Sequence, residues 1–300
     1  MGGQGPNAGE DNATQVEPSG HPGGSSAAAR RPEGAAGRDT STGDDAGAVR
    51  RAELADGLAR VRARIAAACA AAGRDPGEIT LVAVTKTYPA SDVVHLRHLG
   101  VRDVGENRDA EAAPKAALVA GALAGWAPGA AGTGAAAFGG GPLTWHYIGQ
   151  LQRNKARSVV RYADMVHSVD RESLVDALAA AVARERPDRP LDVLLQLSLD
   201  GAVGRGGVPE PELMALAEAV VRRPELRLRG LMAVAPLDWE AARAFGVLAE
   251  YTAKFLVGYP TATVLSAGMS GDLAEAIAFG ATHVRVGSAI LGSRPPAGLA

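Results

Sequence analysis

The chain has 300 residues, 47% of them hydrophobic, and a formal net charge of −2. That length allows one large domain or two small ones with a sizeable core, and the near-neutral charge leaves no electrostatic footprint for nucleic acid or an acidic membrane surface. The single cysteine, Cys69, excludes an intramolecular disulfide; the N-terminus has no apolar core of signal-peptide length and nothing elsewhere approaches a membrane span, so a cytoplasmic location is expected.

Residues 1 to 48 are Gly, Pro, Ser, Ala, Asp and Arg with almost no large apolar side chain. Burial there cannot offset the entropy of ordering, and a disordered tail is expected. From Arg51 to Ala72, apolar Leu54, Leu58, Val61 and Ile65 recur at helical spacing. A run of strand-formers, Ile79 to Thr85, then ends in Lys86. Ser91 and Asp92 can cap a helix that Gly100 ends, and Val101 to Val104 is a short strand. A helix over Asp109 to Ala120 follows. Residues 121–142, with Gly139-Gly140-Gly141, read as a flexible insertion.

The alternation then resumes. Thr144 to Ile148 is a strand, Gln152 to Tyr162 a helix, and Met165 to Val169 a strand. Asp170 caps a helix through Arg184, and Leu191 to Leu199 is a long apolar strand ending at the turn Gly204-Arg205-Gly206-Gly207. Pro209 opens a helix to Val221, Leu226 to Val234 is a strand, and Trp239 to Val257 a helix. Thr263 to Leu265, Asp272 to Phe279 and His283 to Val286 give strand, helix and strand. Eight strands alternating with helices, after one extra helix, suit a closed (β/α)8 TIM barrel, with an open doubly wound sheet as the alternative. The domain so read covers residues 49–300.

In such barrels the active site lies at the carboxyl ends of the strands. Lys86 is one of four lysines, and the other three, Lys115, Lys155 and Lys254, fall in helix-like segments. A lysine at a strand end is either used, as a neutral amine or in a Schiff base, or snorkels to solvent. Two small-residue turns end the last two strands, Ser266-Ala267-Gly268-Met269-Ser270 and Arg285-Val286-Gly287-Ser288. Each presents backbone N–H groups and a hydroxyl, which suits an anion; singly, each also reads as an ordinary cap or tight turn. A carbonyl ligand that carries a phosphate points to pyridoxal phosphate.

These segments carry a resemblance. Ala83-Val84-Thr85-Lys86-Thr87, Gly105-Glu106-Asn107, Trp145 through Lys155, Leu228-Arg229-Gly230-Leu231-Met232, Leu265 through Ser270 and Val284 through Ser288 resemble, in order, the pyridoxal phosphate homeostasis proteins (the YggS/PROSC family). The likeness runs from about residue 51 to 294. It implies the fold of the N-terminal barrel of alanine racemase, and pyridoxal 5′-phosphate held by Lys86 as a Schiff base. It further implies that Ser266 and Ser270, with backbone from Gly268, Gly287 and Ser288, hold the phosphate. Arg285 would face the pyridine nitrogen, and Asn107 and His146 would line the ring. Where the family often has Lys after strand 5, this chain has Arg205.

Other signals are weaker. His95 and His98 share a helix at i, i+3 without a metal-ligand set, and no metal site is expected. His167 and His283 lie in strands as structural residues, and Trp145 and Met232 read as barrel filling. Arg153, Lys155, Arg157 and Arg161 form a basic face that is either solvated or a second anion or partner site. Two function classes remain: a non-catalytic carrier that buffers the cofactor and passes it to apo-enzymes, or an amino-acid racemase or class I aldolase. Only Gly292 to Ala300 follow the barrel, so the second domain that gives alanine racemases their opposing base is expected to be absent. That favours the carrier, and a monomer.

Overall fold

The computed structural model describes residues 41–124, 142–202 and 206–292. Most of the tail, the bulk of the 121–142 insertion, Gly204, Arg205 and residues 293–300 lie outside them. Eight strands, β1 (Thr80–Val84), β2 (Asp103–Glu106), β3 (Thr144–Tyr147), β4 (Met165–Val169), β5 (Leu191–Gln196), β6 (Leu226–Met232), β7 (Val264–Ser266) and β8 (His283–Val286), pair in parallel sequence order. β1 also pairs with β8 through Val82 and Arg285, so the sheet closes into a barrel. This is the TIM barrel expected from the alternation, and it rules out the open sheet.

Helices cover the outside: α1 (Ser41–Ala72), α2 (Ala90–His98), α3 (Asp109–Leu123), α4 (Ala156–Tyr162), α5 (Glu172–Glu185), α6 (Glu210–Val221), α7 (Ala241–Gly258), α8 (Leu273–Ala278) and α9 (Ser288–Leu291). The extra helix α1 starts at Ser41, earlier than the composition of residues 41–48 implies, since their glycines and aspartates are poor helix formers. Two local expectations fail. Asp92 does not cap α2; it is buried and paired with Arg50 of α1 at 2.6 Å. Asp170 does not cap α5 but pairs with Arg171. Both carboxylates find a guanidinium, a stronger partner than a backbone amide.

Period-2 alternation divides each strand between two cores. Outward Ala83, Val104, Trp145, Val284 and Val286 pack with Leu54, Leu58, Val61 and Ile65 of α1. Across the barrel, outward residues of β4 to β7 pack against α5, α6 and α7. Inside, Met165, Leu194 and Met232 form a plug. The helix α1 lies against α9 so closely that a Cβ on Gly57 would meet the Ile290 carbonyl oxygen at 2.3 Å. In an open helix interior Gly→Ala gains up to about 1 kcal/mol. Here the sign reverses: Gly57→Ala is expected to cost about 1–3 kcal/mol as overpacking. The check is a lowered urea midpoint at unchanged slope.

Candidate functional site

Lys86 follows β1 at the carboxyl mouth of the barrel and is half-buried. Among the described residues its ammonium takes no hydrogen-bond or ion-pair partner. Its two neighbours are tightly held. The Thr85 carbonyl accepts from Lys115 Nζ at 2.8 Å, and the Thr85 hydroxyl donates to Glu106 Oε1 at 2.7 Å. The Thr87 amide donates to Glu111, at a residue whose φ of +70° is left-handed and costly for a β-branched side chain. Lys115 also donates to Glu106 Oε1 at 2.7 Å and Glu111 Oε1 at 2.9 Å, which uses all three of its protons. Burial pushes the Glu106 carboxyl up from its ordinary value while Lys115 pulls it down. The network anchors the backbone on both sides of Lys86 and leaves its amine free.

That amine opens into a cavity of about 320 Å³ lined by Val84, Lys86, Tyr88, Ile148, Met269, Ser270, Gly271, Arg285, Gly287 and Ser288. Val84 and Ile148 supply apolar wall, and two cations enter the cavity with no carboxylate among its described lining. Arg285 is almost wholly buried, donating Nη1 to Ser266 Oγ at 2.7 Å and Nη2 to the Ala233 carbonyl at 3.0 Å. Burial pushes its guanidinium down to about 10, which leaves it charged at neutral pH. Gly268 has φ +87° and a carbonyl that accepts from the Arg285 amide at 3.0 Å, so its backbone ties the turn after β7 to β8.

Of the nine residues read from sequence, Lys86, Ser270, Arg285, Gly287 and Ser288 line this one cavity. Asn107 and Gly268 stand at neighbouring strand ends and are not in its wall. Ser266 and His146 are not in its wall either. Ser266, the last residue of β7, is fully buried, and its hydroxyl is engaged by Arg285 and by His167 Nδ1 at 2.9 Å. His146 is also buried, its Nε2 3.0 Å from Asp103 Oδ1 and its Nδ1 2.8 Å from His167 Nε2. Both point inward as alternation requires.

The helix α1 supports the mouth from behind. Arg64 donates to the Ser270 carbonyl at 2.7 Å, and Arg50 to the Leu291 carbonyl at 3.0 Å. Tyr88 donates its hydroxyl to the Gly292 carbonyl at 2.7 Å. Sequence reading missed these contacts and the Glu106–Lys115–Glu111 cluster; the i, i+4 spacing of Glu111 and Lys115 is the one local signal for it. Arg157 and Arg161, part of the basic face, are both paired with Glu185. Trp145 packs edge-on against Tyr162, outside the barrel. Among the described residues no group of His, Cys, Asp and Glu suits a metal ion, and no helix is long and apolar enough to cross a membrane.

Residues 57–295 match the family described as alanine racemase, N-terminal domain. The pyridoxal phosphate homeostasis protein of Mycobacterium tuberculosis is 45% identical over 253 residues, covering 82% of this chain and 94% of its own. The structure of PipY from Synechococcus elongatus with pyridoxal phosphate bound superposes with a TM-score of 0.62 at 30% identity, over 80% of this chain and all of that one. Alanine racemase from Corynebacterium glutamicum shares the fold alone, at 17% identity and a TM-score of 0.55 over 83% of this chain and 63% of the racemase.

Proposed function

The chain belongs to the pyridoxal phosphate homeostasis protein family, and from that premise we propose that it holds pyridoxal 5′-phosphate on Lys86 as part of intracellular cofactor homeostasis. One observation carries the reading: an unpartnered lysine, a buried arginine and two serine- and glycine-bearing turns line the same cavity. That donor set fits the cofactor, with an amine for the aldehyde, hydroxyls and turn backbone for the phosphate, and a guanidinium and apolar wall for the ring. The volume lies at the lower end of small-ligand pockets.

Lys86 would hold the aldehyde group of the cofactor through its free amine. Ser270 and Ser288 offer hydroxyls, and Gly268, Gly287 and Ser288 offer backbone, toward the phosphate. Arg285 would face the ring nitrogen and, as a permanent donor, would keep that nitrogen an acceptor. Bound pyridoxal phosphate supplies a reactive aldehyde and an electron-withdrawing ring, and beside a guanidinium that ring is a weaker electron sink. Asn107, just past the end of β2, would line the ring side, as the family resemblance implies.

The same geometry favours a carrier over a strong catalyst. A racemase needs a second acid–base group opposite the lysine. The phenol in the cavity wall, Tyr88, gives its proton to the Gly292 carbonyl. Delivery to apo-enzymes that need the cofactor follows from a covalent but exchangeable store. Borohydride reduction of protein incubated with pyridoxal phosphate, followed by peptide mass mapping, is expected to leave the pyridoxyl mass on the Lys86 peptide. Uptake of none, or mass confined to Lys115, Lys155 or Lys254, would overturn the reading.

A further inference from the structure

Beneath the cavity an unbroken line of hydrogen bonds crosses the barrel interior. Arg285 Nη1 meets Ser266 Oγ at 2.7 Å, Ser266 Oγ meets His167 Nδ1 at 2.9 Å, and His167 Nε2 meets His146 Nδ1 at 2.8 Å. His146 Nε2 then meets Asp103 Oδ1 at 3.0 Å. Four strands contribute, β8, β7, β4 and β3, and the line ends on β2. Ser266, His146, His167 and Arg285 are all buried, whereas Asp103 is a quarter exposed at the amino-terminal mouth.

The chemistry of the two ends sets the polarity of the whole line. A guanidinium only donates and a carboxylate only accepts. With both rings neutral, His146 donates through Nε2 to Asp103 and accepts at Nδ1 from His167 Nε2. His167 then accepts at Nδ1, so Ser266 must donate its hydroxyl proton there and accept from Arg285. Every bond points from Arg285 to Asp103, and no atom in the line lacks a role. Burial, with the neighbouring His146 and Arg285, holds His167 well below its ordinary value, which keeps that ring neutral. A serine oxygen that has given its proton away is a stronger acceptor, so successive bonds reinforce the grip on Arg285.

We infer that His167, acting through Ser266 and backed by His146 and Asp103, is a positioning residue that fixes the guanidinium of Arg285 toward the ring of the bound cofactor. The inference rests on the proposed placement of pyridoxal phosphate beside Arg285. What the ring of His167 must supply is one acceptor at the position of Nδ1. Asn at 167 can present its Oδ1 there; Leu cannot, although it fills similar space and leaves the same outer bonds unmade.

The full-length protein is titrated with pyridoxal phosphate, following the visible band of the bound cofactor and its dissociation constant. In Ser266→Ala and His167→Leu the band is expected to move and binding to weaken about ten-fold, the worth of one hydrogen bond to a charged group. The double variant is expected to be no weaker than the weaker single one, because both remove the same link. His167→Asn is expected to keep the wild-type band and most of the affinity. Additive losses, or an Asn variant as weak as Leu, would show a purely structural ring and overturn the inference. Wild-type uptake with unchanged variants overturns it alone; a wild-type protein that takes up no cofactor overturns the placement as well.

Discussion

Lys86→Ala is expected to abolish the visible band of the bound cofactor while leaving the unfolding midpoint unchanged. The loss is total because a covalent bond disappears along with the only amine in the described cavity lining. The stability is spared because Lys86 makes no hydrogen bond or ion pair among the described residues. Exposed or half-exposed positions without partners tolerate truncation within about half a kcal/mol. Lys115 cannot take over. Its three protons are committed to Thr85, Glu106 and Glu111, and it is 5% exposed. Cofactor is still expected to bind the variant, reversibly and more weakly, through Ser270, Ser288 and Arg285. Lys86→Arg separates charge from nucleophilicity: it keeps the cation and is expected to be equally colourless. A visible band that survives in both variants would remove Lys86 from its role.

The barrel was legible because parallel strands and amphipathic helices write their periods directly into the chain. Lys86, Ser270, Arg285, Gly287 and Ser288 were legible because strand ends in a barrel converge on one mouth. Which inward side chains reach the cavity was not. His146 and Ser266 face inward by the same alternation as residues of the mouth, yet neither lines the cavity, because buried partners engage both side chains. Their partners Asp103 and His167 come from other strands, and no local spacing pairs residues 21 and 99 positions apart. Asp92 misled for a similar reason: a carboxylate near a helix start is a cap until a distant arginine, here Arg50, outbids the backbone. The reach of α1 over the mouth, through Arg50 and Arg64, is a long-range fact of the same kind.

Lys115→Met is expected to destabilise the protein by about 3–5 kcal/mol at neutral pH, because it strands the Glu106 carboxylate in the interior. Glu106 is fully buried, and its Oε2 already lacks a hydrogen-bond partner. Burial alone raises its pKa, and Lys115 is the first opposing influence. Burial already holds the folded-state pKa above that of the unfolded chain, and without Lys115 it rises further, so the folded variant keeps its extra proton to higher pH. Stability then falls as pH rises from the ordinary carboxyl range toward that raised value, and the deficit against wild type shrinks in acid. Urea melts of both proteins at pH 5 and 7.5 measure this directly, and a deficit that is equal at both would refute a stranded charge. Lys115→Met combined with Glu106→Gln removes the charge and is expected to recover much of the stability. Cofactor affinity should not recover with it. The Thr85 carbonyl and the left-handed Thr87 would still have lost their shared anchor, and Lys86 would swing on a looser hinge. A double variant that regains both would mean the cluster stabilises the fold and does nothing for the lysine beside it.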